Sequence, residues 1–199
     1  MRSNVCKIEK GTRDLAAIFE ESERVAEYNR LTHKQALHLR LLCEEIDGVL
    51  PRIIDDFYGE LWIDFEDGEC RVNLSVEIPE FNIEKKEELI AIAKDKKNAA
   101  AVGIVGKIRN AIENFFLDDE RMQVMALSSG SYGIETGYSA DANYDLHWRL
   151  DEYRNSVKKE EKKEAWDELE KSVIASVADD VIVGIKGKRA EVVIVKKFA

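Results

Sequence analysis

At 199 residues, 45% apolar, 35% charged and with only two prolines, the chain is predicted to form a single folding unit over 1–199, not a disordered or low-complexity segment. Its net charge of −10 argues against nucleic acid as a partner, because phosphate binding draws on lysine and arginine displacing counterions. No stretch reaches the roughly 18–20 apolar residues of a membrane span and "MRSNVCKIEKGTRD" has no apolar signal core, so a cytoplasmic protein without membrane contact is expected.

"NVCKIEK", with Val5, Cys6 and Ile8, reads as a short edge strand that ends at Gly11. "TRDLAAIFEESERVAEYNRL" predicts a first helix, with Thr12 as N-cap, Asp14 near the positive end of the dipole, and Leu15, Ile18, Phe19 and Val25 at helical spacing. From Thr32 the pattern restarts, and Leu39, Leu42, Ile46, Val49 and Leu50 define the apolar face of a second helix. Gly48 and Pro51 end or kink it, since proline lacks an amide donor and crowds the preceding turn. In "GELWIDFEDGECRVNLSVEI", Leu61, Ile63 and Phe65 alternate, as do Val72, Leu74 and Val76, and the intervening Asp67-Gly68 favours a type I′ turn; the segment reads as a β-hairpin.

After Pro79, "IEKKEELIAIAKDKK" reads as a short charged helix. "NAAAVGIVGKIRNAIENFFL" follows as an alanine-rich helix with Val102, Val105, Ile108, Ile112 and Phe116 on one face, and its Gly103 and Gly106 imply a close packing neighbour such as a sheet. "MQVMALSSGSYGIETGYSADANY" holds a short strand and then a glycine- and serine-rich stretch, the expected mobile loop. "LHWRLDEYRNSVKKEEKKEAWDELEKSVIASVA" reads as helical, with Trp166, Leu169, Val173 and Val177 as its apolar stripe and "KKEEKKE" as a solvated face. "VIVGI" and "EVVIV" flank "KGKR" and read as a second hairpin, apolar enough for the centre of a sheet. This order predicts an α+β fold: a two-layer α/β sandwich with helices on one face of a mixed sheet, and a loop-and-helix insertion, 120–179, before the last hairpin. Cys6, Cys43 and Cys70 lack any CxxC spacing and His33, His38 and His147 form no ligand pattern, so packed, reduced thiols and no metal site are expected.

Element order and four segments together resemble the GHKL ATPase domain, the fold of histidine kinases, anti-sigma-factor serine kinases, gyrase B and a family of heat-shock chaperones. "LHLRLLCEEIDGVL" is similar to that family's motif helix, with Glu44 in the place of its glutamate, and "GELWIDFEDGECRVNLSVEI" to the hairpin that follows. "AAAVGIVGKIRNAIE" is similar to the helix after the nucleotide lid, and "DVIVGIKGKRAEVVIVKKF" to the closing strands. The anti-sigma kinases are nearest, since they too begin with a short strand and a helix; the resemblance covers most of 4–117 and 180–198.

In that family the glutamate orients or deprotonates the attacking water or hydroxyl, an asparagine one turn later binds magnesium, and an Asp-x-Gly-x-Gly segment contacts adenine. The resemblance therefore gives Glu44 the catalytic place, and gives Asp47, Gly48, Glu77, Ala101 and Gly103 the groove positions for ATP and magnesium. This sequence departs from the pattern at Gly48, which has no side chain where the asparagine stands, and at Glu77 in "VEIPEF", where the glycines are missing. Ala99, Ala100 and Ala101 stand at the phosphate-side glycines, where a Cβ obstructs the close approach that backbone amides need to cradle a phosphate.

Three readings follow. One is a regulatory or protein-interaction module on a degenerate GHKL scaffold, with a protein partner and with self-association open. Another is an ATP-binding GHKL enzyme, such as an anti-sigma-type serine kinase or ATPase, that uses Glu44 with Asp47 as substitute magnesium carboxylate. In the third the likeness is accidental and the chain is an unrelated α+β domain with a small-molecule pocket. The motif helix also admits a plain reading, a polar stripe in which Arg40 and Glu44 pair across one turn. The aromatics Tyr132, Tyr138, Tyr144, Trp148 and Tyr153 either pack the insertion onto the domain or form an exposed partner site.

Overall fold

Two helices are described between the first two strands, and that even number accords with the antiparallel direction of the pair. In the computed structural model, which describes residues 1–9, 15–49, 58–77, 104, 107, 108, 111, 112, 146–159, 163–186 and 189–198, β1 (Cys6–Glu9) leads to α1 (Leu15–Tyr28). Helix α2 (His33–Val49) returns beside α1, so β2 (Tyr58–Glu66) runs antiparallel to β1. A single helix would have made the pair parallel. After β3 (Glu69–Glu77) the described chain resumes with β4 (Leu146–Arg149), α3 (Leu150–Lys159), α4 (Lys163–Lys171), α5 (Val173–Val177), β5 (Asp180–Lys186) and β6 (Arg189–Lys197). The sheet order is β1-β2-β3-β6-β5-β4 and every pairing is antiparallel. The expected mixed sheet is thus corrected to an antiparallel one, with β1 at an edge and β5 and β6 inside, as their apolar content predicts.

Local chemistry fixes the joints. Asp67 and Gly68 have φ of 50° and 79°, the two left-handed residues of the expected type I′ turn, and the β2–β3 register is unbroken from Tyr58↔Glu77 to Glu66↔Glu69. Thr32 and Gln35 form a reciprocal capping box at the start of α2: Thr32 N–H donates to Gln35 Oε1 at 2.8 Å, and Gln35 N–H to Thr32 Oγ1 at 3.4 Å. Helix α1 ends in a Schellman arrangement, with Leu31 N–H donating to Ala26 C=O at 2.9 Å and Arg30 N–H to Glu27 C=O at 3.0 Å. The left-handed position, φ 55°, is filled by Arg30 where glycine is usual.

The core lies between the helices and one sheet face. Cys70, Val72, Leu74 and Val76 of β3 alternate toward it, joined by Leu61 and Ile63 of β2 and by Val192 and Ile194 of β6. The helices contribute Ile18 and Val25 from α1 and Leu39, Leu42, Cys43 and Ile46 from α2, as the helical spacing predicts. Ile104, Ile108, Ala111 and Ile112 are also buried there, in agreement with the expected apolar face around Ile108 and Ile112.

The region 146–178 departs from the helical expectation. Leu146–Arg149 is a strand that pairs with β5 from Leu146↔Ile185 to Arg149↔Ile182, and only then does the chain turn helical. Ser172 interrupts the later helical run: its backbone is extended (φ −85°, ψ 125°) and its hydroxyl caps α5 by accepting from Ala175 N–H. The break resets the helical phase, so beyond it Ile174 is buried while Val173 stands exposed; before it Leu169 is buried but Trp166, expected on the same stripe, is exposed. Thr12, Asp14, Leu50, Pro51, Val102, Val105, Gly106, Phe116, the glycine-serine stretch, Glu160, Glu161 and Lys162 of "KKEEKKE" and the tip of "KGKR" lie outside the described residues.

Candidate functional site

Helix α2 presents two faces. Leu39, Leu42, Cys43 and Ile46 face the core; His33, Lys34, Leu37, Arg40, Leu41 and Glu44 are exposed, the arrangement its helical spacing dictates. Glu44 is therefore on the outer face, beyond Leu37 and Leu41. Arg40 does not pair with it, contrary to the plain sequence reading. Its guanidinium donates to Glu23 Oε1 on α1 at 2.9 Å and lies over the Phe19 ring, 4.5 Å from the centroid. A cross-helix carboxylate and an aromatic face together hold Arg40 away from Glu44. Asp47 and Gly48 belong to α2, but the Asp47 side chain is outside the described residues, as are Ala101 and Gly103 altogether. Glu77 is exposed at the end of β3, opposite Arg189 of β6 and 3.9 Å from its guanidinium.

Magnesium demands about six oxygen ligands in near-octahedral array. Of the positions that would hold MgATP, the described donors are the carboxylates of Glu44 and Glu77, the latter already beside Arg189, and Gly48 has no side-chain donor. These described side chains alone do not make up the ligand set of a magnesium ion.

The sheet face opposite the helices carries polar clusters that the sequence reading missed. Asp64 of β2 accepts two hydrogen bonds from Arg2, at 2.7 and 3.1 Å, one from Trp62 Nε1 at 3.0 Å and one from Asn73 Nδ2 at 3.2 Å. Burial pushes the Asp64 carboxyl up, but the hydrogen bonds from Arg2 and Trp62, with the charges of Arg2 and the N-terminal amine, outweigh it and hold the group below its ordinary value. Asp180, buried at the start of β5, pairs with Arg149 of β4 and accepts from the N–H groups of Asp151 and Val181 at 3.2 and 2.9 Å. Arg154 of α3 donates to the carbonyls of Ala175, Ala178 and Asp179, closing the end of α5.

Between these clusters run two hollows of about 560 and 580 Å³, continuous through Glu69, Arg71 and Lys197. Ile182, Val193 and Val195 supply an apolar floor, and seven carboxylates stand against three cations around it. Arg71 is paired with Glu69 and Arg149 with Asp180, and Lys197 lies 3.9 Å from Glu69, so carboxylates dominate this surface. The signal in the sequence was the polar half of each alternating strand, Trp62 and Asp64 on β2 and Arg71 and Asn73 on β3.

The three cysteines converge in the core, all buried and none in a disulfide. Burial and the neighbouring Cys70 and Cys6 raise Cys43, and burial with the Asp64 charge pushes Cys70 up to about 12. Thiols held protonated in this way are packing groups, as expected, and not nucleophiles. No helix among the described residues is long and apolar enough to cross a membrane, and none of their His, Cys, Asp or Glu side chains form a group able to hold a metal ion. Comparison with protein families, with curated proteins and with solved structures finds no match to this chain.

Proposed function

We propose that the chain is a regulatory, protein-interaction module on a degenerate GHKL-like scaffold, which docks a protein partner on the helix side where ATP-using members hold nucleotide. One observation carries this reading: the outer face of α2 offers Leu37 and Leu41, 46% and 38% exposed and one turn apart, leading to Glu44 with glycine at 48. Exposed leucines at i and i+4 are the usual anchors for a protein surface, and they add nothing to a magnesium-phosphate site. The strand, two helices and hairpin, with the closing strand pair beside that hairpin and helices on one face, support the scaffold assignment. The competing reading, an anti-sigma-type kinase or ATPase, rests on Glu44 alone among the described side chains.

Isothermal titration of the purified chain with ATP and ADP, with and without magnesium, separates the two. No heat of binding at millimolar nucleotide is the expected result. Magnesium-dependent binding at micromolar affinity, with turnover lost in Glu44→Ala, establishes the enzyme instead.

A further inference from the structure

Among the described residues the sheet ends at β1, and that edge carries a charge pattern that fits itself. Ser3 N–H donates to Ile63 C=O and Phe65 N–H to Met1 C=O, both at 2.8 Å, so odd-numbered residues of β2 turn their backbone groups toward the N-terminal strand. The alternation continues along β2 to Leu61 and Gly59, the register partners of Cys6 and Ile8. Cys6 and Ile8 therefore bond inward, and Lys7 and Glu9 direct their N–H and C=O groups to the free edge. Both side chains are exposed, on the sheet face opposite the helices.

We infer that two copies of the chain join by antiparallel pairing of β1 with β1, with Ile8 at the twofold axis. Only outward-facing residues can bond across that edge, so the centre of pairing falls on a residue of β1, and of its four residues only Ile8 as centre pairs both Lys7 and Glu9 within the strand. Centring on Lys7 opposes two ammonium groups, and centring on Glu9 opposes two carboxylates. Centring on Ile8 sets Lys7 against Glu9 of the partner subunit, twice by symmetry, and makes the contact isologous. The opposite edge does not share this property: β4 reads Leu146-His147-Trp148-Arg149, with no acid to match a cation in any register. The pairing is independent of the nucleotide question and uses a different surface from the outer face of α2.

Light scattering on the intact chain at about 100 µM tests it, since a dimer carries twice the 22.7 kDa of one chain. Glu9→Lys alone opposes lysine to lysine, and Lys7→Glu alone opposes glutamate to glutamate; each is expected to weaken the dimer by about tenfold or more. A one-to-one mixture of the two variants restores opposite charges at both contacts and is expected to dimerise within about threefold of wild type. This recovery also shows that both variants are folded. A monomeric wild type, single variants that dimerise unchanged, or a mixture that stays monomeric while each variant has a native circular dichroism spectrum would overturn the inference.

Discussion

Replacing Gly68 by alanine tests the joint on which the central hairpin depends. Gly68 has φ 79°, and a Cβ built there lies 3.1 Å from the Phe198 carbonyl oxygen, while Phe198 N–H already donates to Gly68 C=O at 2.8 Å. Left-handed backbone costs a non-glycine residue about 1–2 kcal/mol, and the tight approach to a fixed carbonyl adds a few tenths. Alanine also restricts the unfolded chain, which offsets about 0.4–1 kcal/mol. The net loss is therefore on the order of 0.5–2 kcal/mol, or about 1–8 °C in melting temperature for a chain of this size. Calorimetry or urea unfolding reads it directly. A Gly68→Ala protein that melts within a degree of wild type refutes the type I′ turn and its contact with Phe198.

Arg30→Gly should act in the opposite sense, since Arg30 holds φ 55° at the end of α1; relief of that strain, less the entropy of glycine, is expected to stabilise by about 0.5–1 kcal/mol in urea unfolding. Ser172→Ala removes the hydroxyl that caps α5 and should cost about 1 kcal/mol by the same assay, with Ser172→Asp near neutral. Asp64 is held below its ordinary value in the fold, so its contribution is complete above the ordinary aspartate range near pH 3.9 and is lost as pH falls through the lower folded value. Urea midpoints followed into acid should therefore decline less steeply in Asp64→Asn than in wild type. Cys43 and Cys70 should resist a thiol reagent at pH 8 in the native protein and react at once in denaturant.

The hairpin β2–β3 was legible because alternation and Asp67-Gly68 are local signals, and the same holds for the apolar periods of α1 and α2. β4 was not. Four residues, Leu146–Arg149, run straight into a helix with no turn signal between them, and their strand state comes from pairing with β5 more than thirty residues later. The break at Ser172 was hidden because serine is tolerated inside helices as well as at caps, and only the cap geometry decides. Direction was legible in principle, since two helices between β1 and β2 already imply antiparallel strands. Of the candidate site, the exposure of Glu44 could be read from helical spacing, whereas the partner of Arg40 could not: Glu23 and Glu44 are equally plausible in sequence, and the packing of α2 on α1 chooses Glu23. Asp64 and Asp180 escaped notice for the same reason, their arginines lying 62 and 31 residues away.

The most direct test of the scaffold reading is the melting temperature of the chain with and without about 5 mM ATP and excess magnesium, because any ligand of the native state must raise it. The expected shift is within about one degree, since Gly48 offers magnesium no side-chain donor and Arg71 and Arg149 on the opposite sheet face are already paired with carboxylates. A dissociation constant of about 50 µM would instead stabilise the fold by about 2.7 kcal/mol and raise the melting temperature by roughly 5–10 °C, and that result would contradict it.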